Sequence, residues 1–266
     1  MSLGLIDRRN GTVMASVAFP DNENPHILPP QSTVMWHYMP YEYFQRLLKN
    51  RALYLTRIDD QSDTTDGMYS PANATGVTPV MKKLAEASGI IKMGTGADFF
   101  PTNSILRTKT YIHCWSMGAN DCAWMWNEFL GNCIRSVAVR TTIGRLRAAL
   151  AGQPVDMARI IYYPASKPRP DWSYTAPFLA KDKHFERERE LRLIHTLEIG
   201  DQTESDFKLI PLDVRAFLKI VVHPLCDTGF NQEVRNEVAK YKVHVAVKKS
   251  TLAAADLRPF QSERKV

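Results

Sequence analysis

The stretch from residue 217 to residue 247 constrains the fold more than any other part of the chain. Residues 217–223, FLKIVVH, are β-formers, residues 231–241 read as a helix, and residues 242–247 return to strand composition. An antiparallel pair needs only a hairpin turn, whereas a connection of this length allows a crossover between parallel strands. A β-α-β unit of this kind calls for a sheet with a helical layer packed on it. The expected class is α/β or α+β, a single domain built on a mixed β-sheet with flanking helices.

The remaining segments alternate in the same way. Residues 34–38, VMWHY, form a short strand that ends at Pro40. Residues 41–48 then carry Tyr41, Phe44, Leu47 and Leu48 at helical spacing. Residues 52–57, ALYLTR, and 110–117, TYIHCWSM, are strands, and so are 133–139, 158–163 and 191–197. Residues 142–150 read as a helix with Thr142 able to cap it and Ile143, Leu146 and Leu150 on one face. A modest helix is expected over 79–87. Residues 58–78, rich in Asp, Ser, Thr and Gly, form a loop longer than most, and such loops are often functional. Residues 181–190 read as a charged helix or turn. Residues 1–31, with Pro20, Pro25, Pro29 and Pro30 and little periodicity, read as a flexible arm, 32–258 as the globular domain and 259–266 as a polar tail.

Charge enters the argument only weakly. The 34 Lys and Arg residues against 28 Asp and Glu give +6 spread over 266 residues, which permits an anionic partner, nucleic acid included, without demanding one. No apolar run approaches the ~20 residues of a membrane span. The start of the chain lacks the apolar core of a secretory signal, so no membrane partner and a cytoplasmic location are expected. The four cysteines, Cys114, Cys122, Cys133 and Cys226, include no C-x-x-C pair. They are expected as buried free thiols, with Cys114 and Cys133 on strands and no metal site. The glycine-rich dinucleotide and P-loop motifs, the nucleophile elbow and the H-E-x-x-H zinc motif are absent, which argues against the enzyme classes that depend on them.

Five groups of polar and aromatic residues carry candidate chemistry. His37, between Trp36 and Tyr38, is either a satisfied half-buried histidine or a clamp on a ligand's ribose or phosphate. Asp59, Asp60, Asp63 and Asp66 stand in a loop where turn chemistry alone would place them, and they could also orient an arginine or a ligand hydroxyl. On the strand holding His113 to Ser116, period two puts His113 and Trp115 on one face and Cys114 and Ser116 on the other. Residues 185–192, FERERELR, are either a solvated charged helix or an extended segment. In the extended reading Glu188 and Glu190 share a face and can do acid–base work or stabilise a cationic centre. Trp124, Met125, Trp126 and Phe129 are either core or an aromatic wall for a base. Arg57 and Arg192 are each expected to face a carboxylate from among Asp63, Asp66, Glu188 and Glu190.

Taken in order, Trp36-His37-Tyr38, Ala52-Leu53-Tyr54-Leu55-Thr56-Arg57, Gln61 to Asp66, Cys114-Trp115-Ser116, Met125-Trp126-Asn127-Glu128-Phe129 and Phe185 to Arg192 resemble the motif series of the bacterial and phage domain-of-unknown-function family 2971. The chain departs from that series at Gln61, Ser62, Thr64, Phe129 and Arg135. The resemblance implies an architecture and candidate residues, and no activity. The order His37, Ser116, Glu188-x-Glu190 is also similar to that of ADP-ribosyltransferase-like proteins. That likeness implies a His holding the NAD ribose or phosphate, a Ser propping the site, and a last Glu stabilising an oxocarbenium-like centre.

The leading expectation is therefore a nucleotide-type pocket that performs ADP-ribosyl transfer or NAD glycohydrolysis in a defence or toxin setting, with NAD as substrate and no fixed cofactor. Glu188, Glu190 and Ser116 would be catalytic. His37, Tyr38, Arg57, Asp63, Asp66 and Arg192 would bind the ligand, with Trp115 or Trp126 as an aromatic wall. Two readings stand beside it: a non-catalytic sensor or interaction module in anti-phage defence, and a metal-dependent nuclease or phosphoesterase using Asp63, Asp66, Glu188 and Glu190.

Overall fold

The computed structural model describes residues 5–7, 12–14, 28–68, 106–131, 133–164, 166–167, 176–197 and 205–257. Strands β1 (Leu5–Asp7) and β2 (Thr12–Met14) pair with each other as an antiparallel ribbon apart from the main sheet. The sequence reading had no strands in this arm. The helix expected over 79–87 and the tail 259–266 lie outside the described residues.

The main sheet has nine strands: β3 (Val34–Pro40), β4 (Ala52–Arg57), β5 (Thr110–Met117), β6 (Ser136–Thr142), β7 (Asp156–Arg159), β10 (Glu190–Thr196), β11 (Phe207–Pro211), β12 (Lys219–Val222) and β13 (Ala246–Lys249). A parallel two-stranded ribbon, β8 (Ile161–Tyr163) with β9 (Ala180–Asp182), lies beside it. The single strand expected over 158–163 is thus two, β7 and β8, which belong to different sheets. The strand expected from Cys133 begins at Ser136, so Cys133 precedes it. β12 and β13 pair in parallel across a helix, as the C-terminal pattern requires, and every other ladder of the main sheet is antiparallel.

The sheet forks at β5. Along one side β5 pairs with β10 over seven of its eight residues, from Glu190↔Ser116 to Thr196↔Thr110. On its other side it meets β4 only at Tyr111 and Ile112, and β3 only at Ser116 and Met117. Between these contacts the two neighbours diverge. Two histidines replace the missing ladder: Nδ1–H of His37 donates to the Cys114 carbonyl at 2.9 Å, and Nδ1–H of His113 donates to the Tyr54 carbonyl at 3.1 Å. Backbone acceptors in a protein interior need such partners.

Three helices, α1 (Tyr41–Asn50), α2 (Ile143–Ala149) and α3 (Thr228–Lys240), contribute Phe44, Leu48, Ile143, Leu146, Phe230 and Val234 to one large core. Alternate strand residues, including Met35, Trp115, Val139, Leu191 and Leu193, meet them from the sheet, so the helices cover one face. Thr142 caps α2 by accepting from the Arg145 N–H, as its sequence position suggests. The opposite face carries two smaller apolar clusters. One gathers Trp36, Tyr38, Trp126, Ala138 and Val221; the other gathers Ile58, Leu106, Ile112, Phe178 and Ile194. The site described next lies on this second face, at the start of β10.

Candidate functional site

The site begins with strand register. Glu190 opens β10 directly opposite Ser116, and Arg192 stands opposite Cys114, so all four side chains share the helix-free face. Arg192 is wholly buried there. Its Nε donates to Glu190 Oε1 at 2.5 Å, and its two terminal nitrogens donate to the two oxygens of Asp66 at 3.0 and 2.8 Å. One of them also donates to the Phe178 carbonyl at 2.8 Å. A bidentate carboxylate and a second acid are what a guanidinium needs before it can leave water.

Asp66 reaches Arg192 because the chain turns tightly behind it. Gly67 has φ +71°, and a Cβ there would lie 2.7 Å from Phe178 Cδ1 and 2.8 Å from Ile58 Cδ1. The segment 183–188 is neither a regular charged helix nor an extended strand. Lys183–Glu188 is a 3-10 turn, and Arg189 then adopts φ 45° and ψ 50° before β10 starts. That left-handed residue turns the chain so that both glutamates converge on one ammonium group. Lys181 Nζ donates to Glu188 Oε2 at 2.7 Å and to Glu190 Oε2 at 3.5 Å, and lies 4.0 Å from Asp66 Oδ2. Tyr162, beside Lys181 in the β8–β9 register, accepts the Glu190 N–H on its hydroxyl at 2.8 Å.

Three carboxylates, Asp66, Glu188 and Glu190, therefore face two cations, Lys181 and Arg192, so the cluster carries one surplus negative charge when all are ionised. The two glutamates respond differently. Burial would push Glu190 up, but Arg192 and Lys181 outweigh it and hold its carboxyl at about 2. Burial raises Glu188 above its ordinary value, and Lys181 offsets this only in part. Glu188 also keeps 14% of its side chain exposed, against 2% for Glu190. The Cys114 thiol hydrogen-bonds Glu190 and is kept protonated, chiefly by burial.

Of the residues singled out in the sequence, Asp66, Ser116, Glu188, Glu190 and Arg192 come together. Lys181 and Tyr162 were not anticipated. A lysine directly after the apolar run Phe178-Leu179-Ala180 was the available signal for the first; Tyr162 offered none. Other candidates lie elsewhere. His37 and Trp115 fall on the helix-covered face, because each is one residue out of phase with its site neighbour, and their rings are 5.3 Å apart. Trp115 belongs to the main core. Trp126 is fully buried and donates to Asp121 at 3.1 Å, and Tyr38 packs edge-on against it at 4.9 Å while its hydroxyl accepts the Cys122 N–H. None of these three is an exposed stacking wall.

Arg57 pairs with Asp59 at 2.9 Å and Asp206 at 3.1 Å, not with any of the four carboxylates expected to face it. Its own turn supplies the nearer partner. Asp63 accepts from the backbone N–H and hydroxyl of Thr65, which is turn chemistry. No hydrogen bond or ion pair among the described residues joins Asp63 to the cluster, so the four-carboxylate metal arrangement is not assembled. Among the described residues no three His, Cys, Asp or Glu side chains are grouped as metal ligands, and no helix is long and apolar enough to cross a membrane.

No family model matches the chain, and no curated protein is similar to it. The resemblance to family 2971 thus rests on motif order alone. Among solved structures, the chain is similar to DarT of Thermus sp. 2.9 in complex with carba-NAD+, at 12% identity and a TM-score of 0.40, covering 83% of this chain and 97% of that one. The same protein in complex with NAD+ gives 11% identity and a TM-score of 0.37 over the same shares of the two chains. In complex with ADP-ribosylated ssDNA it gives 10% and 0.37, over 84% and 97%. Neither the identity nor the superposition is close enough to transfer a residue or an activity.

Proposed function

We propose that the chain binds NAD and transfers its ADP-ribosyl group to a hydroxyl acceptor or to water. One observation carries this reading: two carboxylates share the Lys181 ammonium at 2.7 and 3.5 Å, but Glu190 is also bonded to buried Arg192, which holds it low, while Glu188 keeps an open side and burial raises it. Paired groups separated in this way divide electrostatic and acid–base work between them. Breaking an N-glycosidic bond needs both kinds of work. The C1′–N bond to nicotinamide breaks and its electron pair leaves with nicotinamide, so positive charge develops at the ribose carbon. The fixed negative charge of the cluster stabilises that centre. The acceptor oxygen then bonds to C1′, and its proton passes to Glu188. Glu190 acts from behind, through its hold on Lys181 and Arg192.

The test is nicotinamide release from NAD by the purified protein, with a thermal shift measured in parallel. Wild-type protein releases nicotinamide, and Glu188→Gln lowers the rate by about a hundredfold or more, the usual scale for a general base. A thermal shift without release would favour a module that holds the nucleotide and leaves it unchanged. Absence of both the shift and the release would overturn the proposal.

A further inference from the structure

We infer that Lys181 is a positioning residue whose ammonium keeps Glu188 ionised and fixed, and so sets the pH range in which the site works. The inference rests on the proposed function but is tested separately from it. Its basis is the charge balance of the cluster and the place of one nitrogen within it. Lys181 Nζ lies between Glu188 at 2.7 Å and Glu190 at 3.5 Å. Among the described residues of the cluster it is the one cation bonded to Glu188, since Arg192 donates to Glu190, Asp66 and the Phe178 carbonyl.

The groups that act on Glu188 are Lys181 on β9, Glu190 and Arg192 on β10 and Tyr162 on β8; Asp66, on the turn before Gly67, meets the two cations, and Cys114 on β5 meets Glu190. Two of these are anions, two are cations, and Tyr162 and Cys114 are neutral, because burial raises both above their ordinary values. With Lys181 present, three carboxylates share two positive charges. Without it, three share one, and that one is already saturated by Glu190 and Asp66. Like charges crowded in a buried site cannot all remain ionised, so a proton must enter. Glu188 is where it enters, because Glu190 and Asp66 keep their guanidinium.

Carboxyl carbon-13 shifts, with Glu188 assigned from the Glu188→Gln variant, read this directly and require no catalysis. Lys181→Met should raise the Glu188 titration midpoint by about one pH unit or more, equivalent to a tenfold change in proton affinity. Lys181→Arg should keep it within about half a unit of wild type, and Lys183→Met, at an exposed neighbour, should leave it unmoved. In the activity assay, Lys181→Met should lose rate at neutral pH and recover it as pH rises through the new midpoint. Should Lys181→Met fail to fold, the wild-type protein still decides: the Lys181 ammonium nitrogen signal must move as Glu188 titrates. An unmoved Glu188 in Lys181→Met, an equal shift in Lys181→Arg, or a static Lys181 signal would each overturn the inference. If the titration behaves as described while no nicotinamide is released, the proposed reaction fails and the role of Lys181 stands.

Discussion

Glu188 and Glu190 stand two positions apart and share an ammonium partner, yet they should behave as opposites in stability measurements. Glu190→Gln removes the charge that Arg192 Nε is bonded to and leaves a buried guanidinium half compensated. Breaking one side of a buried pair costs about 3–5 kcal/mol, and urea unfolding should register a loss of that order. Glu188→Gln removes the surplus negative charge while Lys181 keeps Glu190 and Asp66. It should shift stability by no more than about 1 kcal/mol in either direction. Equal losses at the two positions would mean that the cluster is a single rigid block without an open side. The pH dependence follows from the same residues. Glu190 is held at about 2, below its ordinary 4.5, so its stabilisation is complete above 4.5 and is lost as pH falls through 2. Burial depresses His37 and His223 from 6.5 to about 4, so the unfolded chain takes up protons that the folded chain refuses, and stability falls between 6.5 and 4. The urea midpoint should therefore decline in two stages. His37→Asn, which keeps a donor for the Cys114 carbonyl, should make the first shallower, because His223 and His113 still contribute to it, and leave the second; a flat profile between 6.5 and 4 in wild type would contradict this account.

At the scale of elements, the turn before Gly67 ties a loop to a strand more than a hundred residues away. Gly67→Ala places a methyl group against the Phe178 ring and the end of the Ile58 side chain at a positive φ, and both neighbours are wholly buried. Because the Phe178 ring is rigid and wholly buried and the residue's φ is positive, the substitution should cost about 2 kcal/mol or more. It should also weaken the grip of Asp66 on Arg192, visible as faster exchange of the guanidinium protons. Normal stability in that variant would show that the turn relaxes freely. Elements of this kind mark the limit of what the sequence displays. Strand β5, helix α1 and the β12–α3–β13 unit were legible because their apolar residues follow a period of 2 or 3.6 over a sufficient length. The same period-two rule, applied across strands, separates His37 from Ser116, but only once the β3–β5 register is known, and register is a tertiary fact. The charged segment before β10 was ambiguous because a 3-10 turn followed by one left-handed residue has no periodicity to read. Arg192 and Asp66 were recognisable as partners by chemistry; that Lys181 completes the set depends on the β8–β9 ribbon, in which residues 161–163 read only as the end of a longer strand and residues 180–182 are too short to give a signal.

For the molecule as a whole, the fork at β5 has a consequence in time. β3 and β4 are consecutive in the chain and joined by α1, yet they do not pair with each other; each waits for a different end of β5. During synthesis, about fifty residues separate the end of β4 from the start of β5, which at roughly 5–20 residues per second amounts to several seconds. Throughout that interval two β-prone segments stand with open edges on either side of a helix whose apolar stripe has no sheet to cover. The later partner β10 and the outer strand β12 are further off still. Newly made chains that stop short of Met117 are thus the species in which edge-to-edge association between copies should begin; the arrival of one eight-residue strand links β3 and β4 at two residue pairs each, and their remaining edges close only when β6 and β11 follow.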